Sequence, residues 1–545
     1  MIINPLLSIQ NPIFASPKKF LEPPLCRIKP SSDLNRKQRQ NPDKSNTHVV
    51  KTSVRTTFAS VSIVRREKNC VCEETARFQR AGGEKIAVLC ALGYWVQGFR
   101  FFPWLALNFH MAHNLGFQPS TLQLVQNSGN LPMVAKPLYG VLSDVLHIGG
   151  GRRIPYISIG VLLQIIAWGP LALIPAAREA LPSLMACVLL SNLGASITEV
   201  AKDALVAEFG QRYQLNGLQS YAFMASAIGG ILGNLLGGYC LFKTPPRIMF
   251  LVFAVLLSVQ LVVSVSSREE SLGLPWITGL SLEGDLGLEV VKKQFSNLVE
   301  AVQADDISRP LIWIVASIAM VPVLSGPVFC YQTQVLNLDP SVIGMSKVIG
   351  QLMLLSLTVV YDRSWKTFPM RQLVRVVQVM YGFSLALDFF LVKQMNLGLG
   401  ISNEVFVLCF SSLAETLAQF KLLPFSVLLA NLCPRGCEGS VTSFLAATLC
   451  LASIVSGFLG VGLASMVGIS SGNYSNLPAG ILVQSLAAIL PLSFVHYVPM
   501  SEPEVEEEEK KRGLSKRHRK NRRVGRVASQ TSYAYRRQRE SETRR

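Results

Sequence analysis

The most informative segment of the sequence is Lys136-Pro137-Leu138-Tyr139-Gly140-Val141-Leu142-Ser143-Asp144, followed after a short Gly-rich link by Gly151-Arg152-Arg153-Ile154-Pro155-Tyr156. Apolar segments lie on both sides, so it predicts a membrane helix that ends in a tight turn before the next. Gly140 and Asp144, four positions apart, share a helix face. The Arg152 and Arg153 guanidinium groups can meet the Asp144 carboxylate in charge-assisted hydrogen bonds. We predict a conformational latch; an ordinary membrane-edge turn is the alternative.

The composition points to a membrane protein. Of 545 residues, 50% are hydrophobic and only 16% are charged, and the mean hydropathy is +0.35. These values lie outside the range of soluble proteins. The net charge of +18 invites a nucleic-acid interpretation. However, the Lys and Arg residues concentrate at the termini and in links, where they set membrane orientation, so we expect membrane lipid and no nucleic acid as a partner.

The cysteine pattern predicts neither disulfides nor a metal site. Eleven cysteines are scattered along the chain, many inside apolar runs, where a thiol behaves as a small hydrophobe. Cys70-Val-Cys72 and Cys433-x3-Cys437 lack a second ligand pair. We therefore expect no metal and no cofactor, although a metal at the His110 and His113 pair is left open.

Apolar runs of about 20 residues alternate with short polar breaks from about Lys85 to Val498, and each is long enough to cross roughly 30 Å of hydrocarbon. We predict an all-α integral membrane protein with twelve transmembrane helices. The predicted spans are 86–109, 119–146, 153–176, 181–207, 217–242, 247–266, 310–332, 340–361, 372–393, 402–430, 438–468 and 477–499.

The distribution of basic residues supports an even number of spans. Links on the cytoplasm-like side of a membrane carry the excess of Lys and Arg. The even-numbered links hold most of these residues, among them Arg152, Arg153, Arg371 and Arg435, whereas the odd-numbered links hold only Arg178, Lys243, Arg247 and Lys393. Both termini are therefore expected on the same side.

The domain plan follows from shifts in composition. Residues 1–80 are rich in Ser, Thr, Asn, Lys and Arg, which is typical of an organelle transit peptide; a disordered cytosolic tail is the alternative. A six-helix bundle is expected at 81–266, a linker with an amphipathic helix at 267–309, and a second six-helix bundle at 310–499. The acidic-then-basic segment 500–545 is expected to be disordered.

Internal symmetry and small residues suggest how the two halves are arranged. Asn114-Leu-Gly-Phe-Gln-Pro-Ser120 opens the second span and Asn337-Leu-Asp-Pro-Ser341 opens the eighth. Such halves bind substrate between them near the bilayer midplane. In the fifth span, Gly229-x3-Gly233-x3-Gly237 allows close helix contact.

Ionisable residues inside membrane spans are candidates for function because each costs about 2.5 to 3.5 kcal/mol on insertion scales. Glu199 and Asp203 share one face of the fourth span, with Lys202 between them. This cluster could relay a proton; an internal ion pair that only helps insertion is the alternative. Other such residues are Arg100, Lys136, Asp388, Glu415 and Lys421.

Several motifs together resemble the folate-biopterin transporter family of the major facilitator superfamily. The block from Lys136 to Tyr156 is the most specific of them. Others are Tyr94-Trp-Val-Gln97-Gly98, Thr198-Glu199-x3-Asp203-Ala-Leu, Leu218-Gln219-Ser220 with Gly229-Gly230, and Leu432-Cys433-Pro434-x-Gly436-x-Glu438. The sequence departs from the family pattern at Glu199, where Asp is expected, and at Lys202 and Arg100.

The resemblance implies a chloroplast membrane protein, with the envelope favoured, in two pseudo-symmetric six-helix bundles. It implies transport of a folate-like or pterin-like anion by alternating access, with proton coupling. Such substrates call for aromatic surfaces, amides and basic groups. The expected substrate contacts are Gln97, Arg100, Lys136 and Gln219; the expected relay is Glu199, Lys202 and Asp203; the expected latch is Gly140, Asp144, Arg152, Arg153 and Glu438.

Two other classes of function stay open. A membrane-embedded enzyme would need a convergent nucleophile, base or metal set, yet the six His residues lie mainly in links, ends or tails. We therefore do not expect an enzyme. A sensor or assembly protein derived from a transporter would keep the fold without carrying substrate, and measured flux separates it from a transporter.

Overall fold

The computed structural model describes residues 88–146, 148, 151–213, 218–267, 296, 303, 305–365, 368–432 and 438–498. The predicted transit peptide, nearly all of the central linker with its amphipathic helix, and the charged C-terminal tail lie outside these residues. Spans 1 to 12 below carry the numbers of the spans predicted from the sequence.

The described residues are helical almost throughout, which confirms the predicted all-helical membrane fold. The pairings outside helices are two isolated β-bridges, Ile148 with Gly151 and Ser470 with Asn473. The longer helices are Ile154–Leu173, Leu181–Tyr213, Leu218–Lys243, Pro246–Ser266, Asp305–Ala319, Pro340–Val360, Met370–Val392, Leu413–Leu432, Glu438–Val467 and Leu477–Ile489. Shorter helical pieces are 88–99, Phe101–Phe109, Pro119–Gly129, Leu131–Val134, Lys136–Val145, Pro175–Glu179, Ser325–Cys330, Met395–Gly398 and Asn403–Phe406.

Nine helices in the described part of the chain are long and apolar enough to cross a membrane. Spans 1, 2 and 7 consist of shorter pieces: span 1 is interrupted at Arg100, span 2 at Asn130 and Ala135, and span 7 over residues 320–324. Prolines follow both interruptions of span 2, and Pro322 lies within that of span 7. Proline lacks a backbone donor and disfavours helix at the residue before it. The exact number of twelve spans stays a prediction.

The two halves repeat one local geometry, 221 positions apart. Span 1 ends in a π-helical turn over His110–Asn114, and span 7 ends in another over Tyr331–Val335. A residue with positive φ follows each turn, Gly116 at +59° and Asn337 at +48°. The next helices then begin at Pro119 and Pro340. The repeat noticed in the sequence is therefore a repeated chain path, in which Asn337 corresponds to Gly116 rather than to Asn114.

Span 5 packs against both halves of the molecule. A Cβ added at Gly233 would lie 3.0 Å from the Phe99 carbonyl oxygen of span 1, and one at Gly229 would lie closer still to the Trp95 carbonyl oxygen. On another side of span 5, a Cβ at Gly238 would lie 2.9 Å from the Pro340 carbonyl oxygen of span 8. The small residues therefore allow the close helix contact that their spacing predicts.

Contacts at the span ends agree with the predicted sidedness. The Arg371 guanidinium at the start of span 9 donates to the Val498 carbonyl oxygen, at 2.7 and 3.0 Å, just beyond span 12. Arg153 at the start of span 3 pairs with Glu208 at the end of span 4. In both pairs an even number of membrane crossings separates the two span ends. Such ends must lie on the same side of the membrane, where they can meet.

Candidate functional site

A buried charge cluster lies where spans 1, 2 and 4 meet. The Lys136 ammonium is 2.6 Å from Oε2 of Glu199, and the Arg100 guanidinium is 3.8 Å from Oε1 of the same carboxylate. The three side chains are only 5 to 7% exposed. One carboxylate of span 4 thus holds two cations from two other spans, although the three residues are far apart in sequence.

Arg100 lies at the interruption of span 1, and its guanidinium also contacts an amide network. Its Nη2 donates to Oδ1 of Asn192 at 2.7 Å, and Nδ2 of Asn192 donates to the carbonyl oxygen of Gly129 at 2.5 Å. The Arg100 Nε is buried and has no hydrogen-bond partner among the described residues. Arg100 therefore keeps one donor that nothing in this part of the chain satisfies.

The rest of the predicted relay joins span 4 to span 1. The Lys202 ammonium donates to Oε1 of Gln97 at 2.7 Å and to the Gly93 carbonyl oxygen at 2.8 Å. It also lies 4.7 Å from the centre of the Tyr94 ring. The Tyr94 hydroxyl donates to Asp203. Lys202 is 2% exposed, whereas Asp203 is exposed at the edge of the cluster.

The cluster encloses a cavity of only about 10 Å³, roughly the space of one water molecule. It is lined by Gly93, Val96, Gln97, Arg100, Gln164, Ala195, Thr198, Glu199, Lys202 and Gln260. Every lining residue belongs to the first half of the chain. The structure therefore has a conformation closed around the charges, in which a molecule as large as a pterin has no room.

The structure brings together six of the residues predicted from the sequence, which are Gln97, Arg100, Lys136, Glu199, Lys202 and Asp203. The side chain of Gln219 lies outside the described part of the chain, so its predicted role is untested. Sequence reasoning gave no role to Tyr94, Asn192, Gln164 or Gln260. Uncharged polar side chains inside apolar spans were the available signal for three of them, because such groups also need partners in a bilayer.

The predicted latch region contains an acid that the sequence analysis missed. Arg153 donates to Oε1 of Glu208 through Nη2 at 2.5 Å and Nε at 3.1 Å, and to the Ser143 hydroxyl. The Arg152 Nη1 is 3.8 Å from the same Glu208 oxygen. Spans 3 and 4 run antiparallel, so Glu208 lies opposite the Arg pair.

The remaining latch predictions have different outcomes. Gly140 allows ordinary packing, since an added Cβ would lie 3.5 Å from a Val200 methyl carbon. The Tyr156 hydroxyl lies 2.8 Å from the Leu146 carbonyl oxygen and so joins the end of span 2 to the start of span 3. The side chains of Asp144 and Glu438 are outside the described part, so their pairing stays a prediction.

The His pair considered as a metal site makes other contacts. Nε2 of His110 is 3.2 Å from the Arg178 carbonyl oxygen, and His113 stacks on Phe109 with ring centres 5.6 Å apart. No group of three His, Cys, Asp or Glu side chains suited to a metal occurs in the described ranges.

Long apolar helices in two repeated halves define a membrane protein with a fold of the major facilitator type. The solved structure of a D-xylose-proton symporter agrees, with a TM-score of 0.56 at 14% identity over 77% of this chain and 98% of that chain. The sequence model of the BT1 family matches residues 97–519. The chain belongs to this family, which is the folate-biopterin transporter family of the sequence prediction.

Two relatives from Arabidopsis thaliana match nearly the whole chain. One, described as "Probable folate-biopterin transporter 9, chloroplastic", is 67% identical over 99% of this chain and 100% of its own length. The other, described as "Probable folate-biopterin transporter 8, chloroplastic", is 68% identical over 99% of each. These relatives and the spanning helices confirm the prediction of a multi-pass chloroplast membrane protein of plant type. The relatives are transporters, which supports a role in transport rather than catalysis.

Proposed function

We propose that the chain carries a folate-like or pterin-like organic anion across the chloroplast envelope by alternating access, with proton coupling. The observation that carries the proposal is the buried contact of Glu199 with Lys136 and Arg100. The relatives' descriptions as folate-biopterin transporters supply the substrate class.

The charge balance of the cluster favours an anion. Three basic residues, Arg100, Lys136 and Lys202, face two acids, Glu199 and Asp203. A substrate carboxylate or an ionised pterin would meet a positive site, because charge-assisted hydrogen bonds to Arg and Lys are among the strongest in proteins. It would compete with Glu199 for the same cations. Glu199 thus keeps the side chains of Lys136 and Arg100 in position until the substrate replaces it.

Buried polar groups without partners suit a flat, hydrogen-bonding ring. Nε of Arg100, Nε1 of Trp104 and Oγ of Ser191 have no hydrogen-bond partner among the described residues. These side chains are at most 8% exposed. Buried polar groups are almost always hydrogen-bonded in native proteins. A pterin carries ring nitrogens, a carbonyl and an amino group, and so could satisfy such groups.

The contacts between span 4 and span 1 support proton coupling. Asp203 accepts from the Tyr94 hydroxyl, and Lys202 donates to Gln97. Adding a proton to Asp203 would remove its charge and leave the neighbouring Lys202 more free for the substrate. Binding of a proton and binding of an anion would then support one another, which is what symport requires.

Uptake into proteoliposomes tests this function. The purified full chain would be reconstituted, and uptake of labelled folic acid, biopterin and other organic anions measured with and without an inward proton gradient. We expect saturable uptake of a folate or pterin that the gradient increases. Correctly inserted protein giving no more uptake than empty liposomes for every such substrate would overturn the proposal and favour a sensor or assembly protein.

A further inference from the structure

Lys421 in span 10 is a buried cation outside the cluster described above. Its side chain is 1% exposed. The ammonium donates to Oε1 of Gln378 in span 9 at 3.1 Å and to the Ser317 carbonyl oxygen in span 7 at 3.3 Å. It also lies 5.1 Å from the centre of the Tyr381 ring. Within the described part of the chain, no carboxylate forms an ion pair with it.

Neighbouring contacts fix the orientation of this ammonium. Nε2 of Gln378 donates to the Ala488 carbonyl oxygen at 2.5 Å, so the oxygen of that amide must face Lys421. An ammonium has three donors, and two have acceptors here. The third donor has no hydrogen-bond acceptor among the described residues.

Among the described residues, no acid of the second half forms an ion pair with Lys421. Glu415, the membrane-embedded acid of span 10, forms an ion pair with Lys347 of span 8. Lys347 is also the charged group that acts on Asp388 of span 9. The unmatched charge of Lys421 therefore calls for an anion from outside the described chain.

Lys202 in the first half has the same kind of surroundings. It donates to a Gln side-chain oxygen and to a backbone carbonyl of the first span of its half, and it lies over a Tyr ring. Lys202, however, shares its helix with Glu199 and Asp203, whereas span 10 places no acid next to Lys421. The two halves thus present corresponding cations, and only one of them has acids beside it.

The position of Lys421 suits a substrate contact. Ser317 lies just before the interruption of span 7 at residues 320–324. Interrupted helices near the midplane typically line the binding site of transporters with repeated halves. In the closed conformation Lys136 and Arg100 are also almost fully buried, so the burial of Lys421 matches that of the basic groups in the first half.

We infer that Lys421 binds a carboxylate of the transported anion and makes the transporter prefer carboxylated pterins over uncharged ones. The inference rests on the proposed function. Folate carries carboxylates on its tail and biopterin carries none, so the two substrates separate the role of Lys421 from recognition of the pterin ring. The ring would contact the first half, and the carboxylate would contact the second.

The test compares folic acid with biopterin in proteoliposomes of the full chain. Lys421→Met keeps an unbranched side chain that is one atom shorter and removes its charge. We expect this variant to raise KM for folic acid at least about tenfold, the loss of one hydrogen bond to a charged group. KM for biopterin should change less than about twofold. Lys421→Arg should keep the preference for the acid, and Lys393→Met, at an exposed position of the same half, should change neither KM.

Three results would overturn the inference while leaving the proposed function intact. The first is that Lys421→Met raises KM for folic acid and for biopterin by the same factor, and the second is that it changes neither KM. The third needs no variant: the wild-type chain transports folic acid and its uncharged diamide with the same KM. The last comparison also decides the question if the Lys421 variants fail to insert. A wild-type chain that carries no folate or pterin would overturn the proposed function itself.

Discussion

The Lys136 ammonium donates to the Glu199 carboxylate at 2.6 Å, with both side chains 7% exposed. Removing Lys136 leaves the buried Glu199 carboxylate with only the more distant Arg100, 3.8 Å away, and breaking a buried pair costs at most about 3 to 5 kcal/mol. We expect Lys136→Met to lower both the thermal stability of the purified protein and its uptake of substrate. Unfolding followed in detergent and uptake in proteoliposomes measure the two effects.

The double variant Lys136→Met with Glu199→Gln is the matched control for this prediction. It removes both charges of the pair but also takes the acid from Arg100, so its loss of stability should be smaller than the sum of the losses in Lys136→Met and Glu199→Gln. Uptake should stay low, because the site would lose a cation and the acid that positions Arg100. If the loss of stability in the double variant equals the sum of the losses in the two single variants, the pairing of these residues is contradicted.

Gly98 tests the close contact between spans 1 and 5. A Cβ at Gly98 would lie 2.8 Å from the Gly230 backbone nitrogen and nearer still to the Ser226 carbonyl oxygen. We expect Gly98→Ala to force the helices apart at a cost of about 1 to 3 kcal/mol, visible as a lower yield of folded protein. A Cβ at Gly462 meets no atom within 4 Å, so Gly462→Ala should keep the wild-type yield.

The sequence was sufficient to predict the helical fold, the repeated halves and most of the charge cluster. Length and hydropathy determine where a chain can cross a bilayer, and a charge retained at depth indicates function. Arg100, Lys136 and Glu199 were each chosen on that ground. Their mutual contact could not be predicted, because it depends on how spans 1, 2 and 4 face one another.

Two kinds of feature escaped the sequence analysis for physical reasons. The interruptions of spans 1, 2 and 7 depend on tertiary contacts that satisfy the freed backbone groups, and prolines alone do not place them. Uncharged groups such as Asn192 and Gln378 have little effect on a hydropathy profile, although each fixes the position of a buried cation. Glu208 escaped because the motif suggests only Asp144 as partner of the Arg pair.

Glu208 should contribute to the latch at the end of span 4. It accepts from Arg153 and lies near Arg152, but its side chain is 33% exposed, so screening reduces the value of the contact. We expect Glu208→Gln to lower the uptake rate about fivefold, which corresponds to roughly 1 kcal/mol, without loss of membrane insertion. Glu179→Gln at an exposed position should leave the rate unchanged. Equal rates in both variants would remove Glu208 from the latch.

Gln123 of span 2 joins the two halves at the interruption of span 7. Its Nε2 donates to the carbonyl oxygens of Val323 and Gly457, at 2.6 and 2.8 Å, and its Oε1 accepts from the Gly326 backbone nitrogen at 3.0 Å. The side chain has no exposed surface. One residue of the first half therefore satisfies three backbone groups of the second.

Gln123→Leu should loosen this contact between the two halves. The variant leaves buried backbone groups without partners, each costing about 1 to 3 kcal/mol, whereas separation of the halves would expose them to water. We expect faster maleimide labelling of a cysteine placed at Leu324, which is only 1% exposed and adjoins Val323, together with slower net uptake. Gln126→Leu is the control, because Gln126 donates to Asn108 within the first half and should leave the labelling rate unchanged. Equal labelling of both variants would show that Gln123 does not hold the halves together.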